Sequence, residues 1–489
     1  MSKFLLSFSP ARYVFWLAPI IAAGMMVFGP PDSLQQPAWL VAACMLIMAL
    51  WWMTEVVPVA VTALLPILLF PLMGVSDLKT TTANYAHPII YLFLGGFLLA
   101  QAIEKWNLHR RIALTILAAA GGNARSLMGG FMLTSALLSM WISNTATTMM
   151  LLPVGLAIIA VIGETVTHIS EREHQHFQKA LLLSIAYSAT LGGVATLIGT
   201  PPNAFMAAFI AEQYNIDIAF SSWILVGLPV TLIMLPLVWW YLSKFAFPFN
   251  FQTSEHTRRT LTAMKDELGP IAREEKIIAV VFIITALSWA ARPVLDNYIT
   301  SLSDPGIAIA AGLAMFFIPS AKPGAKPSTL LTWSDTKNLP WGILILFGGG
   351  LALANAVSSS GLAAAIGSAI AHLSALNLAV LVVMVTTLVV FLTEMTSNLA
   401  TTATFLPVIA AVAMQFGLEP VVLIVPIALA ASCAFMLPVA TPPNAIVYSA
   451  EKLSIADMAK AGFSLNLFSI IVVSVISIAI VPLIFATLH

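Results

Sequence analysis

Two short polar motifs stand in the middle of apolar sequence, and each occurs twice. Ser143-Asn144-Thr145-Ala146-Thr147-Thr148 recurs 254 residues later as Ser397-Asn398-Leu399-Ala400-Thr401-Thr402. Thr200-Pro201-Pro202-Asn203-Ala204 recurs as Thr441-Pro442-Pro443-Asn444-Ala445. An Asn carboxamide has an oxygen for a cation and an NH2 for an anion, and Ser or Thr hydroxyls serve either partner. Tandem prolines remove two backbone donors and break a helix. The freed carbonyls are hard oxygen ligands suited to Na+, and the helix restarting beyond the break offers amide donors and a positive dipole end to a carboxylate. Gly199, just before the first break, lets backbone approach a ligand closely. One Ser-Asn-x-Ala-Thr-Thr alone would read as a packing motif, because small and hydroxyl residues are common at membrane helix contacts. Two copies, each followed by a Thr-Pro-Pro-Asn break, point instead to a site that binds an anion and a cation together.

The elements that must position these motifs are membrane helices. Hydrophobic residues make up 60% of the chain and charged residues 9%, against roughly 25% charged in soluble domains. Apolar runs recur at the length an α-helix needs to cross ~30 Å of hydrocarbon. The fold class is therefore an all-α integral membrane protein in contact with the lipid bilayer. Crossings are expected at 13–29, 37–53, 56–73, 87–104, 180–212, 223–243, 276–296, 306–319, 340–357, 419–450 and 462–486. Two further apolar stretches, 126–162 and 378–415, are each either a pair of spans or a re-entrant hairpin. The run Tyr13–Phe28 reads as a retained first span rather than a cleaved signal, since Gly29-Pro30-Pro31 follows it without a small-residue cleavage site.

A cytoplasmic N-terminus places nineteen of the 21 basic residues on cytoplasmic segments, leaving only Lys79 and Arg292 outside. The C-terminus, His489, is then external. Residues 1–36 hold the first span, 37–243 a first repeat, 244–275 a cytoplasmic connector and 276–489 a second repeat. Hairpin 126–162 and broken helix 180–212 in the first repeat correspond to hairpin 378–415 and broken helix 419–450 in the second. Gly95-Gly96 recurs as Gly349-Gly350 at the same offset of 254, and five crossings separate the two spans. Five is odd, so the repeats are inverted, a plan of secondary transporters whose sites lie near the midplane at broken helices.

No lysine or arginine falls inside this core, and burying a dianion without counter-charge is very costly. A co-bound cation would supply the missing charge, which favours sodium as a stoichiometric partner. Glu394, beside the second Ser-Asn motif, is either an ion or proton contact or a brace for the hairpin. Glu55 and Glu104 read as solvated caps and His87 as interfacial. Cys44 and Cys433 are buried hydrophobes rather than a disulfide. Net charge is zero, which excludes a polybasic surface and leaves nucleic acid out as a partner. The chain has no His-Glu-x-x-His, no clustered intramembrane aspartates and no phosphate loop, so a membrane protease, a prenyl-type enzyme and a primary pump are disfavoured. A channel is disfavoured because no continuous polar pore lining is apparent.

These motifs, in this order and over nearly the whole chain, resemble the divalent anion/sodium symporters, the INDY-like carriers of dicarboxylates, citrate or sulfate. The resemblance implies eleven spans, two re-entrant hairpins, a homodimer and elevator-type movement. It implies no cofactor, with Na+ co-transported, and a place in a bacterial inner membrane. One sodium site is implied at Ser139, Ser143, Asn144 and Gly199, and a second at Thr393, Thr396, Asn398 and Ala440. The substrate, a small divalent anion of the succinate, fumarate and malate class, is implied near Asn144, Thr145, Thr200, Ser397, Asn398, Thr441 and Pro442. Many bacterial dicarboxylate members carry Ser-Asn-Thr twice; here the second copy is Ser-Asn-Leu, so one hydroxyl contact is missing at Leu399. Sodium-independent exchange and sulfate transport are the alternatives within the same class.

Overall fold

The two helices that lead into the Thr-Pro-Pro-Asn motifs are the most deeply buried elements of the protein. In the computed structural model, which describes residues 10–485 apart from 33, 121, 167, 297, 300, 321–327 and 370–376, every residue from 180 to 197 and from 421 to 435 is buried. Lys3, Lys322, Lys326 and His489 lie outside the described residues. The first helix, Glu171–Val194, starts from Ser170, whose hydroxyl caps the Glu173 amide at 3.2 Å. It is clasped by both arms of a helix–turn–helix, Ala124–Ser139 and Asn144–Thr165. The second, Pro420–Ala431, is clasped likewise by Leu378–Leu392 and Asn398–Gln415.

The helices that restart after the breaks change sides. Pro201–Tyr214 packs on Asn398–Gln415 and Pro420–Ala431, while Pro442–Tyr448 packs on Asn144–Thr165 and Glu171–Val194. Each half thus lends its restarted helix to the core of the other.

Among the described residues, eight helices are long and apolar enough to cross a membrane, including Gln36–Thr54, Arg273–Leu295 and Trp341–Ser359. Several expected spans are shorter helices: Val59–Leu72, Asp304–Phe317 and Pro420–Ala431, while the first span is the helix Pro10–Phe28. For Pro420–Ala431 the reason is visible in the chain, because its span is assembled from two half-helices around a break, with Pro442–Tyr448 as the second. The only sheet among the described residues is a two-stranded antiparallel pair, Pro319–Ser320 with Ser328–Thr329.

The repeated glycine pairs serve helix crossings. A Cβ on Gly95 would fall 2.7 Å from the Ala308 Cβ, and one on Gly349 2.7 Å from the Ala63 Cβ. The connector is docked rather than freely solvated. Its helix Glu255–Asp266 buries Thr257 and Leu261 and packs on Leu108–Ala119 and Asn144–Thr165. Arg111 grips Glu275 with two bonds of 2.8 and 3.0 Å and takes the Gly269 carbonyl at 2.9 Å, the bidentate geometry that makes an Arg–carboxylate pair strong. Arg292, one of two cations set apart by the charge count, is itself neutralised. It meets Asp217 at 2.9 Å, Asp304 at 3.1 Å and Asp296 at 3.7 Å.

Candidate functional site

Both polar motif pairs converge on one cavity of about 700 Å³. Ser143, Asn144 and Thr145 line it from the first helix–turn–helix, and Gly199 and Thr200 from the first break. Ser397 and Asn398, then Ala440, Thr441 and Pro442, line it from the second half. Three expected ligands stand behind the wall instead: Ser139, Thr393 and Thr396 are buried and do not line it. The Ser139 hydroxyl donates to the Asn144 carboxamide oxygen. The Thr393 hydroxyl lies 2.9 Å from the equivalent Asn398 oxygen and 2.9 Å from the Ala431 carbonyl. The Thr396 hydroxyl is spent within the second turn, on the Leu392 carbonyl at 3.0 Å and the Thr401 hydroxyl at 2.5 Å.

The hairpin turns present helix N-termini to the cavity. Ser143 is the N-cap of Asn144–Thr165, its hydroxyl accepting from the Ala146 amide at 3.2 Å. Ser397 is the N-cap of Asn398–Gln415, and its hydroxyl makes no cap bond. The first amides of a helix have no partner within it, so these two ends are suited to an anion. At the breaks the order is reversed: Thr200 caps nothing, whereas Thr441 accepts from the Asn444 amide at 3.3 Å.

The breaks differ from expectation in one respect. The tandem prolines occupy the first two positions of the restarted helices, Pro201–Tyr214 and Pro442–Tyr448. Proline is favoured there because its fixed φ suits a helix start, but it carries no N–H. The restarted helices therefore contribute a dipole end and ring surfaces, and the amide donors come from the hairpin turns.

Many freed carbonyls are also already engaged. Asn203 Nδ2 donates to the carbonyls of Gly193, Val194 and Thr196 at 3.3, 3.1 and 2.8 Å. Asn444 Nδ2 does the same for Ala434 and Leu437 at 3.3 and 3.1 Å. These two residues, fully buried, were inside the motif, yet the sequence assigned them no role. Their helical position three residues after a break was the available signal.

Glu394 is a brace. Its carboxylate accepts from the backbone amides of Phe435 at 2.7 Å, Met436 at 3.0 and 3.1 Å and Leu437 at 3.1 Å, and from Asn466 Nδ2 at 2.7 Å. Successive amides pointing inward make an anion nest, and here the anion is the protein's own side chain. The first half ties its turn to its break with the Thr196 hydroxyl, which donates to the Met140 carbonyl at 2.6 Å and accepts from the Gly199 amide at 3.0 Å.

Apolar lining comes from Phe93, Phe97, Ile343 and Leu346. Glu55, Gln101, Glu104 and Asn338 stand on the lining too, so the two glutamates read as caps belong to the cavity; among the described residues no lysine or arginine does. Trp141 also lines it, stacked against Phe220 and Trp289 at centroid distances of 5.9 and 6.4 Å. Nothing in local sequence pattern marks Gln101, Asn338 or Trp141. Leu399, where the first motif has Thr145, faces the cavity and is 5% exposed.

A family model described as the sodium:sulfate symporter transmembrane region matches residues 11–486. A sodium-dependent dicarboxylate transporter, SdcS, of Staphylococcus saprophyticus is 40% identical over 470 residues, 95% of this chain and 90% of that one. SdcS of Staphylococcus aureus strain USA300 is 39% identical over 472 residues, 96% of this chain and 91% of that one. Among solved structures, the Alcanivorax borkumensis YdaH transporter shares the fold with a TM-score of 0.55 at 14% identity, covering 81% of this chain and 87% of that chain.

Proposed function

The chain belongs to the sodium:sulfate symporter transmembrane family, and from that premise we propose that it is a sodium-coupled symporter of small dicarboxylates, with C4 acids such as succinate as its substrates. The observation that carries this reading is the charge of the cavity. Among the described residues its lining holds Glu55 and Glu104 and no basic side chain. A dianion entering such a space needs positive charge from elsewhere. Two helix N-termini supply part of it, and sodium ions supply the remainder, which couples the two fluxes. The dicarboxylate relatives, near 40% identity over almost the full chain, support dicarboxylate over sulfate.

In this reading Ser143, Asn144 and Gly199 hold one sodium with Ser139 supporting them from behind, and Asn398 and Ala440 hold the other with Thr393 and Thr396 behind. The shared bonds of Ser139 with Asn144 and of Thr393 with Asn398 keep each carboxamide oxygen aimed at its ion. Asn144, Thr145, Thr200, Ser397, Asn398, Thr441 and Pro442 then contact the carboxylates. Sodium binds first, orders the two turns and completes the anion site. The polar wall, carried by the motif-bearing helices, then moves as a unit along the apolar lining of Phe93, Phe97, Ile343 and Leu346. That is an elevator within a homodimer of eleven-span subunits with two re-entrant hairpins each, in a bacterial inner membrane with the N-terminus cytoplasmic and the C-terminus external.

The test is uptake of labelled succinate, citrate and sulfate into proteoliposomes, with a sodium gradient and with choline in its place. Concentrative succinate uptake only with sodium is expected, abolished in Asn144→Ala and Asn398→Ala proteins that stay folded. Succinate accumulation at full rate in choline, or normal transport by both variants, removes this reading.

A further inference from the structure

We infer that Gly193 is a positioning residue that makes the first cation half-site compact, and that Ala434 and Ala440 leave the second one wider, so the two sites bind sodium unequally. This rests on the reading above and asks how its two cation sites differ. The two Thr-Pro-Pro-Asn motifs set the equivalence: Gly193 and Gly199 lie seven and one residues before Thr200, and Ala434 and Ala440 lie seven and one before Thr441.

The frames around the two breaks agree. Asn203 Nδ2 reaches the Gly193 carbonyl at 3.3 Å, and Asn444 Nδ2 the Ala434 carbonyl at 3.3 Å. What differs is what fits between them. A Cβ on Gly193 would lie 2.6 Å from Asn144 Oδ1, 2.9 Å from the Gly199 carbonyl oxygen and 3.1 Å from Asn144 Nδ2. A Cβ on Gly199 would lie 2.5 Å from the Gly193 carbonyl oxygen and 2.8 Å from its Cα. Real side chains do not come that close. Two oxygens of the first half-site therefore converge on space that only a missing side chain leaves.

In the second half both positions carry methyl groups. Ala434 and Ala440 are 0% and 4% exposed, so the methyls occupy the interior. By the motif equivalence these methyls stand where Gly193 and Gly199 leave open space, so the Asn398 carboxamide and the Ala440 carbonyl are expected to lie farther apart than Asn144 and Gly199. A small, hard cation is held best when its oxygens match its radius, and a cage that cannot contract loses that match. The first half-site is accordingly the tighter one for sodium.

The experiment measures two things on purified protein: sodium-dependent succinate uptake in proteoliposomes, and the sodium-induced rise in melting temperature. Gly193→Ala is expected to raise half-saturating sodium at least ten-fold, to lower the steepness of the sodium dependence, and to cut the sodium-induced thermal shift. Its apparent succinate affinity at saturating sodium stays within three-fold of the parent, a split that general misfolding would not give. The reciprocal variant Ala434→Gly/Ala440→Gly is expected to lower half-saturating sodium at least three-fold. A parental sodium response in Gly193→Ala overturns the inference. Should that variant fail to fold, an unchanged response in Ala434→Gly/Ala440→Gly overturns it instead. A parent protein with no sodium response at all would remove the underlying symporter reading, a separate outcome.

Discussion

At the residue scale the central economy is that polar groups brace one another before any ligand arrives. Glu394 shows it most clearly: one carboxylate collects three backbone amides and the Asn466 amide in an interior where nothing else could satisfy them. Removing an acceptor from buried donors costs about 1–3 kcal/mol for each neutral group and more where charge is involved. Glu394→Ala is therefore expected to yield little folded protein. Glu394→Gln, which keeps one acceptor oxygen but turns an NH2 toward backbone amides, is expected to fold with a melting temperature lower by several degrees and to transport at under a tenth of the parental rate. A Gln variant with parental stability would mean the nest does not hold the break. Ten of the thirteen residues implied by the family resemblance line the cavity, and the duplicated motifs that carried the resemblance have a physical reason to be there. Hydroxyls and carboxamides are costly in apolar surroundings, so a duplicated cluster of them announces a place where they are needed. The roles within the cluster were less legible. Prolines read as helix breakers turned out to be helix starters without amides, and Asn203 and Asn444 turned out to hold the broken ends. Both depend on three-dimensional position within a turn, which residue type alone does not specify.

At the element scale, the rim of the cavity is set by the short turn Trp333–Asn338 and the end of helix Pro88–Lys105, since Asn338 and Glu104 both line it. Asp335 joins the two. Burial alone would raise its carboxyl, but bonds from Lys105 Nζ at 2.8 Å and from the Thr332 amide and hydroxyl at 2.6 and 2.8 Å outweigh that and hold it below the usual carboxylate range. A carboxyl held low stabilises the fold at pH above its ordinary value near ~4. That contribution is lost as pH falls through the lowered folded-state value. Asp335→Asn is thus expected to melt below the parent at pH 7, with the gap closing as pH drops below about 4. A gap that persists in acid would show that the loss is one of packing rather than charge. The breaks were legible at this scale because two prolines cannot continue a helix, while the docking of the connector was not. Glu255–Asp266 has the mixed charge of a solvated segment, and its attachment through Arg111 and Glu275 spans 164 residues of sequence.

At the scale of the whole molecule, the turn after Tyr214 ties the motif-bearing helices to their surroundings. Asp217 takes Arg292 at 2.9 Å, and the Phe220 amide donates to Asp304 at 2.8 Å. If the polar wall travels as proposed, this attachment must part in every cycle. Cys44 and Cys433 are both buried, so a cysteine pair introduced as Asp217→Cys/Arg292→Cys can be oxidised without native thiols interfering. Oxidation is expected to stop succinate uptake and a reductant to restore it. Uptake that continues with the bridge formed would rule out movement of that wall relative to Arg273–Leu295. The exchange of restarted helices between the halves carries a further consequence, for synthesis. Pro201–Tyr214 is translated long before its seat against Asn398–Gln415 exists, and Asn144–Thr165 waits equally for Pro442–Tyr448. The nascent N-terminal portion must therefore sit in the bilayer as an unfinished intermediate with its polar gap unsealed. Translation pausing or premature termination before residue 442 would leave that species, and not a smaller working carrier, for the quality-control proteases to find.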